Sequence, residues 1–319
     1  GVVGGGGGEE EAGEEEKAKG KLKKLQTRIL LGFILGAAAI ALIFSGTVPF
    51  AIVMLAISIL GQEEYFRMTQ AKGHLPARRV TRLATVLLHM SACFAPHLTD
   101  AVFPVCATLV MCYLLVIRTR KVATIADVCT TFMGLFYAGY LPSFWTRLHG
   151  VEPETVNVLC VALQKFMAGV LPGVQWSMFI KSGAMLVFWT WLAEAFADIG
   201  AFFFGRYFGR NKLSPISPKK TVEGAVAGFT FSGSIMLVGA YLMGWPSWFA
   251  TGILYGITIG VVGLMGDLTA SLFKRDAGVK DSGNIIPGHG GILDRADSYV
   301  LIAPLVYYFV TLVLPALGG

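Results

Sequence analysis

Charge is what this sequence has least of. Asp, Glu, Lys and Arg supply 14% of its 319 residues, against 55% hydrophobic. Soluble domains carry about 25% charged residues, so a soluble globular chain is excluded and an integral membrane protein is indicated. Cysteine is also scarce. Cys93, Cys106, Cys112, Cys129 and Cys160 lie in or beside apolar runs, odd in number and without a CxxC pair. That excludes a disulfide framework and a thiolate zinc site, and leaves buried small hydrophobes. Familiar catalytic motifs are missing too: GxSxG, a Cys/His arrangement, HExxH, the Walker GxxxxGK, and GxGxxG after a strand. There is no internal repeat and no separate soluble domain.

What is present is a succession of apolar runs. They predict spans at 29–44, 48–60, 83–94, 101–117, 123–144, 176–204, 222–243, 249–266 and 299–314, several of them near the roughly 20 residues a bilayer crossing needs. The expected fold is all-α, a polytopic helical bundle of about nine transmembrane spans. Residues 156–171 are predicted as a short interfacial or re-entrant helix. Residues 1–27 combine a glycine run with glutamates and lysines, a composition expected to be disordered. The chain starts with Gly, which fits a removed targeting leader. The expected organisation is a tail at 1–27, N-terminal membrane spans at 28–175 and a C-terminal catalytic membrane domain at 176–319.

The basic residues orient this layout. Segments 1–28, 62–82, 118–121, 206–220 and 267–298 all fall on one side and hold 23 of the 26 Lys and Arg, as the positive-inside rule requires. The net charge of +6 is then explained by topology and attraction to anionic lipid, without a nucleic-acid partner. GxxxG spacings at Gly32/Gly36, Gly224/Gly228 and Gly252/Gly256/Gly260 permit close helix packing but identify no dimer face.

Between the last two apolar runs lies a polar island, 267–298, where charge is costly unless it is a surface loop or a working site. Acids gather at span ends on this side: Glu194 and Asp198, Asp267, then Asp294 and Asp297. Singly, each reads as a helix cap or solvated charge. Together they form a hard, oxygen-rich set that suits Mg²⁺. Lys274, Arg275 and Lys280 lie among them, and Arg206, Arg210, Lys212, Lys219 and Lys220 fill the other loop on that side. Such bases beside a metal site neutralise polyphosphate. The turn Gly288-His289-Gly290-Gly291 offers backbone N–H groups to phosphate oxygens. His89, inside a span, reads as a satisfied polar group. These residues point to phosphoryl or nucleotidyl transfer on a lipid. A transporter using the acids as ion-coupling groups is the rival of another class; it calls for broken inverted-repeat helices, of which the sequence shows none.

The island resembles the signature of the phosphatidate cytidylyltransferases, or CDP-diacylglycerol synthases. The matching residues are Ser271, Lys274-Arg275, Lys280-Asp281, His289-Gly290-Gly291 and Asp294-Arg295-Ala296-Asp297, at the family's spacing throughout. A second block is similar to the family as well: Asp198, Phe203-Phe204-Gly205-Arg206, Gly209-Arg210, Lys212-Leu213-Ser214-Pro215, Ser217-Pro218-Lys219-Lys220-Thr221 and Glu223-Gly224. The N-terminal spans match only in hydrophobic character. The resemblance implies that phosphatidic acid attacks CTP at the bilayer, giving CDP-diacylglycerol and pyrophosphate. It implies Mg²⁺ on Asp267, Asp294 and Asp297, with a second cation possible. It implies phosphate binding by Lys274, Arg275 and Lys280, Asp281 positioning a lysine or second cation, and His289 donating to phosphate. Lys212, Ser214, Lys219, Lys220 and Glu223 would form the other wall of the nucleotide or lipid-head site. A homodimer is also implied. A CTP-dependent kinase of a lipid alcohol is the nearest rival. The expected location is a plastid membrane, with a bacterial plasma membrane as the alternative.

Overall fold

The structure, a computed structural model, describes residues 32–117, 122–152, 158–173, 175–285 and 290–318. The expected tail at 1–27, the basic segment 118–121 and His289 lie outside these residues. The chain divides into two compact units, 1–42 and 43–319. The apolar helix α1 is Gly32–Ile43, all but its last residue in the first unit. In the second, α2 is Thr47–Ala71, α3 Arg78–Phe94, α4 Thr99–Cys112, α5 Ile125–Met133 and α6 Leu141–His149. Then follow α7 Val158–Val170, α8 Ser182–Phe208, α9 Val222–Met243, α10 Trp248–Ala277 and α11 Leu293–Tyr308. Among the described residues there is no strand, only an isolated bridge between Lys212 and Thr221. The all-α membrane class expected from composition is the class observed.

Among the described residues, six segments are long and apolar enough to cross a bilayer: Thr47–Ala71, Pro96–Ile117, Ser182–Phe208, Val222–Met243, Trp248–Ala277 and Leu293–Leu317. The other expected spans form helices of different character. Run 29–44 corresponds to the short α1. Run 83–94 falls in α3, which opens on Arg78, Arg79 and Arg82 and turns a polar side inward. Run 123–144 is interrupted at Gly134–Tyr140 by wide π-helical turns joining α5 to α6. The predicted interfacial segment is α7.

Local chemistry sets the helix ends near the polar loops. Thr221 caps α9, its Oγ1 accepting from Gly224 N at 3.2 Å, and Gly244 ends that helix at φ 69°. The 30-residue α10 rises about 45 Å at 1.5 Å per residue, longer than the roughly 30 Å hydrocarbon layer. Its last turns therefore leave the apolar zone, and they carry Lys274 and Arg275 at the negative end of the helix dipole. Side chains such as Val116 and Leu312 are 74% and 64% exposed, as expected of surfaces that face lipid rather than water.

The helices α8, α9 and α10 approach closely. At Gly256 of α10 a Cβ would lie 2.6 Å from both Gly233 Cα and Ser232 O of α9, so any side chain there would push the pair apart. The GxxxG glycines of α10 thus serve contacts inside the protomer. Several polar groups between helices are paired. Gln62 donates to Thr85 Oγ1 at 2.9 Å and to Gly134 O at 3.1 Å, a carbonyl at the start of the π-turns. Arg147 makes a two-pronged ion pair with Asp100, 2.7 and 3.0 Å, which ties α6 to α4.

Candidate active site

The end of α10, the loop after it and the start of α11 form one half of the site. Lys274 Nζ donates to Asp294 Oδ1 at 2.7 Å. The other oxygen of Asp294 accepts from Ser282 N at 2.8 Å, Ser282 Oγ at 3.0 Å and Gly291 N at 3.0 Å. Both oxygens of Asp294 are therefore engaged by the protein. Arg275, Lys280 and Asp281 are exposed at the same end. Gly291 N, which the sequence offers to a phosphate, is taken up by Asp294.

The other expected acids gather a little deeper. Asp297 lies within electrostatic reach of Asp267, Lys274 and Asp198, and Asp198 of Lys220, Asp267 and Arg295. Glu194 interacts with Asp198, Lys220 and Asp297 and receives a hydrogen bond from Ser298. Gly263 makes room for Glu194: a Cβ there would sit 2.5 Å from its Cδ. Glu194 is buried, and its Oε2 has no hydrogen-bond partner among the described residues. Asp267 is ion-paired with Lys220 and accepts from Ser271 Oγ at 3.3 Å. The Lys220–Asp267 pair joins the two polar loops that the charge count places on one side.

The loop from 209 to 221 is folded by its own backbone. Leu213 N donates to Lys220 O at 2.9 Å and Val222 N to Asn211 O at 3.0 Å. Glu223 accepts from Arg210 N at 3.1 Å, Asn211 N at 3.2 Å and Asn211 Nδ2 at 2.8 Å. That makes Glu223 the clamp that closes this loop. Ser214 Oγ accepts from Ile216 N at 3.2 Å, and Lys212 is exposed. Lys219 and Lys220 instead line a cavity of about 660 Å³ between α8, α9, α10 and the loop. One part of its wall is ionic, with Asp198, Asp267, Lys219 and Lys220; another is apolar, with Phe202, Phe229 and Leu264. Ionic and apolar groups thus line one cavity, which can receive an anionic headgroup together with hydrocarbon.

One residue of this region is missing from the sequence-based set. Glu64, on α2, is fully buried and accepts from Ile292 N at 2.9 Å, Leu293 N at 2.9 Å and Ser282 Oγ at 2.8 Å. In the sequence it stands at the edge of an apolar run and reads as part of a polar connection. It lies 218 residues before Ser282, so no local spacing could reveal the contact.

The cytidylyltransferase family model matches residues 26–313. The chain belongs to the cytidylyltransferase family. It is 46% identical over 298 residues to the phosphatidate cytidylyltransferase of a Synechocystis species, spanning 92% of this chain and 100% of that protein. It is 33% identical over 307 residues to the chloroplastic phosphatidate cytidylyltransferase 5 of Arabidopsis thaliana, spanning 93% and 74% respectively. A phosphatidate cytidylyltransferase of Staphylococcus haemolyticus is 42% identical over 127 residues, 40% of this chain. The resemblance drawn from the signature thus extends across nearly the whole cytidylyltransferase chain. Cyanobacterial and chloroplastic kin accord with an integral membrane protein of plastid or bacterial type.

Proposed function

We propose that this protein joins CTP to phosphatidic acid at the membrane surface, releasing pyrophosphate and leaving CDP-diacylglycerol in the bilayer. The observation that carries this reading is the cavity. Its ionic wall adjoins an apolar one, a shape suited to a lipid phosphate, in a chain whose kin are named for this transfer. A phosphate oxygen of the lipid attacks the α-phosphorus of CTP. The new P–O bond forms as the bond from that phosphorus to the β-bridging oxygen breaks, and pyrophosphate departs with the electron pair. The lipid phosphate has a second pKa of about 6, so its attacking oxygen is already ionised near neutrality and no general base is required.

The protein's task is then to hold two anions together and offset the charge that builds up. Lys219 and Lys220 do so from the cavity wall. Lys274, steadied by Asp294, and the exposed Arg275 and Lys280 do so from the α10 end. Asp281 adjoins these bases and orients them. Lys212 and Ser214 lie on the same loop as Lys219 and Lys220 and would add to this wall, and Glu223 holds the start of that loop.

The donor chemistry fits a hard divalent cation. Asp198, Asp267 and Asp297 are mutually close and offer only oxygen, and the nearby Glu194 has a buried oxygen without a partner. Yet no three acids, histidines or cysteines among the described residues already form a metal cage, in keeping with Lys220 resting on Asp267. Asp267 and Asp297, helped by Asp198, would hold Mg²⁺, which supplies positive charge against phosphate oxygens when bound. In this reading Asp294 positions Lys274 rather than coordinating the cation. We further read residues 176–319 as the catalytic membrane domain, residues 28–175 as its supporting spans, and the enzyme as a homodimer.

Membranes supplied with phosphatidic acid, Mg²⁺ and cytosine-labelled CTP test the reading. Label should appear in the lipid; label remaining in CDP would identify a kinase, and solute flux without pyrophosphate a transporter. Chelation of divalent ions should abolish the transfer. Asp267→Asn and Asp297→Asn should each lower it about 100-fold. Near-wild-type pyrophosphate release from both would overturn the metal assignment.

A further inference from the structure

A buried carboxylate from the N-terminal half sits at the base of the signature loop. We propose that Glu64 is a positioning residue for the transfer reaction, clamping together the two ends of the loop that leads into α11. The inference rests on the transfer reading above and adds a component from outside the signature.

The geometry is specific. Glu64 Oε1 accepts from Ile292 N at 2.9 Å, and Oε2 accepts from Leu293 N at 2.9 Å and Ser282 Oγ at 2.8 Å. The first two donors open α11, where free N–H groups and the helix dipole favour an anion. Ser282 belongs to the other end of the loop. Its Oγ also lies 3.0 Å from Asp294 Oδ2, so one hydroxyl links Glu64 to the carboxylate that holds Lys274. Two glycines close over the Glu64 headgroup. A Cβ on Gly283 would lie 2.8 Å, and one on Gly291 2.7 Å, from Glu64 Cδ. The loop is thus shaped to enclose this side chain.

Two consequences follow for the site. The first N–H groups of α11 are occupied from within, by Glu64 and by Asp294, so the phosphates must be met by side-chain cations rather than by this helix end. And α2, which the signature does not include, sets where Asp294 and Lys274 stand. Positioning errors of about 1 Å cost on the order of 100-fold in rate.

The test uses the full chain in detergent–lipid micelles. Glu64→Gln keeps the volume but removes the charge and one acceptor oxygen. It should unfold at the wild-type temperature within a few degrees while kcat falls about 10-fold, with KM for CTP changed less than twofold. Glu64→Ala should lose about 100-fold. Ser282→Ala keeps Glu64 and should lower kcat several-fold; combined with Glu64→Gln it should add less than its separate effect. Hydrogen exchange supplies a readout independent of activity: the amides of Ile292 and Leu293 should lose protection in Glu64→Gln while those inside α9 stay protected. Wild-type kcat per folded molecule in both Glu64 variants, or full additivity with Ser282→Ala, would overturn the proposal. If the wild-type protein shows no transfer, the reaction assignment fails by itself. The clamp then stands or falls on the exchange of Ile292 and Leu293: their unchanged protection in Glu64→Gln would refute it.

Discussion

Gly263→Ala probes the floor of the site with a single methyl group. The added Cβ would meet both carboxylate oxygens of Glu194 and sit 2.5 Å from its Cδ. Glu194 is 2% exposed, and its carboxylate can retreat only toward the cavity that it helps to line. Overpacking of this kind costs about 1–3 kcal/mol. Displacing Glu194 also strains its hydrogen bond from Ser298, worth about 1 kcal/mol more. The sum, roughly 2–4 kcal/mol, corresponds to a fall in melting temperature of about 3–6 °C for a chain of this size. Below the melting transition, kcat should fall about 10-fold or more, because Glu194 packs beside Asp198 and Asp297. The assay pairs tryptophan-fluorescence melting with pyrophosphate release. Gly169→Ala in α7 is the control, since a Cβ there meets nothing within 4 Å; its effect should stay within about 0.5 kcal/mol. Glu194→Asp withdraws the carboxylate by one methylene, so the double variant should recover part of the lost stability. Wild-type melting and kcat in Gly263→Ala would refute the packing of α10 on Glu194.

Two further outcomes are expected. Asp100→Asn leaves Arg147 buried, with a 3% exposed side chain, and without its counter-charge; discounted for the half-exposed Asp100, thermal stability should drop by about 2 kcal/mol, and an unchanged melting temperature would show the pair to be idle. His149 is buried between Phe50, Thr47 Oγ1 and Ile43 O, and burial, with Lys181 adding to it, holds its pKa below the usual 6.5. The unfolded chain then binds the extra proton first, so stability is complete above about pH 6.5 and declines at lower pH by up to about 1.4 kcal/mol per unit; melting curves from pH 7.5 to 5.5 should show this slope, and His149→Gln should flatten it.

The membrane class and the active end of the chain were legible from residue chemistry. A bilayer demands long apolar helices, and the bounds of α9 follow from a threonine cap and a closing glycine that local sequence displays. The cation rule placed the 206–220 and 267–298 loops on one side, where Lys220 meets Asp267. The signature spacing identified the family, because contacts within one loop and its flanking helices depend on neighbours in sequence.

Other features needed the tertiary structure. Asp294 and Asp297 are three residues apart, about 60° from eclipsing on a helix; packing against α10 sends the first to Lys274 and Ser282 and the second toward Asp267 and Asp198. Glu223 reads in the sequence as one wall of the site; the tertiary structure shows it accepting from Arg210 N, Asn211 N and Asn211 Nδ2. Residues 62–71 read as a polar connection but continue α2 as helix, and so Glu64 reaches α11. By itself, the sequence determined what is chemically costly or favourable at each position: which segments leave water, which side faces the cations, which residue types can handle phosphate. Which carboxylate meets which partner was decided only in three dimensions, because hydrogen bonds between helices depend on packing angle and depth, and those arise from contacts between residues far apart in the chain.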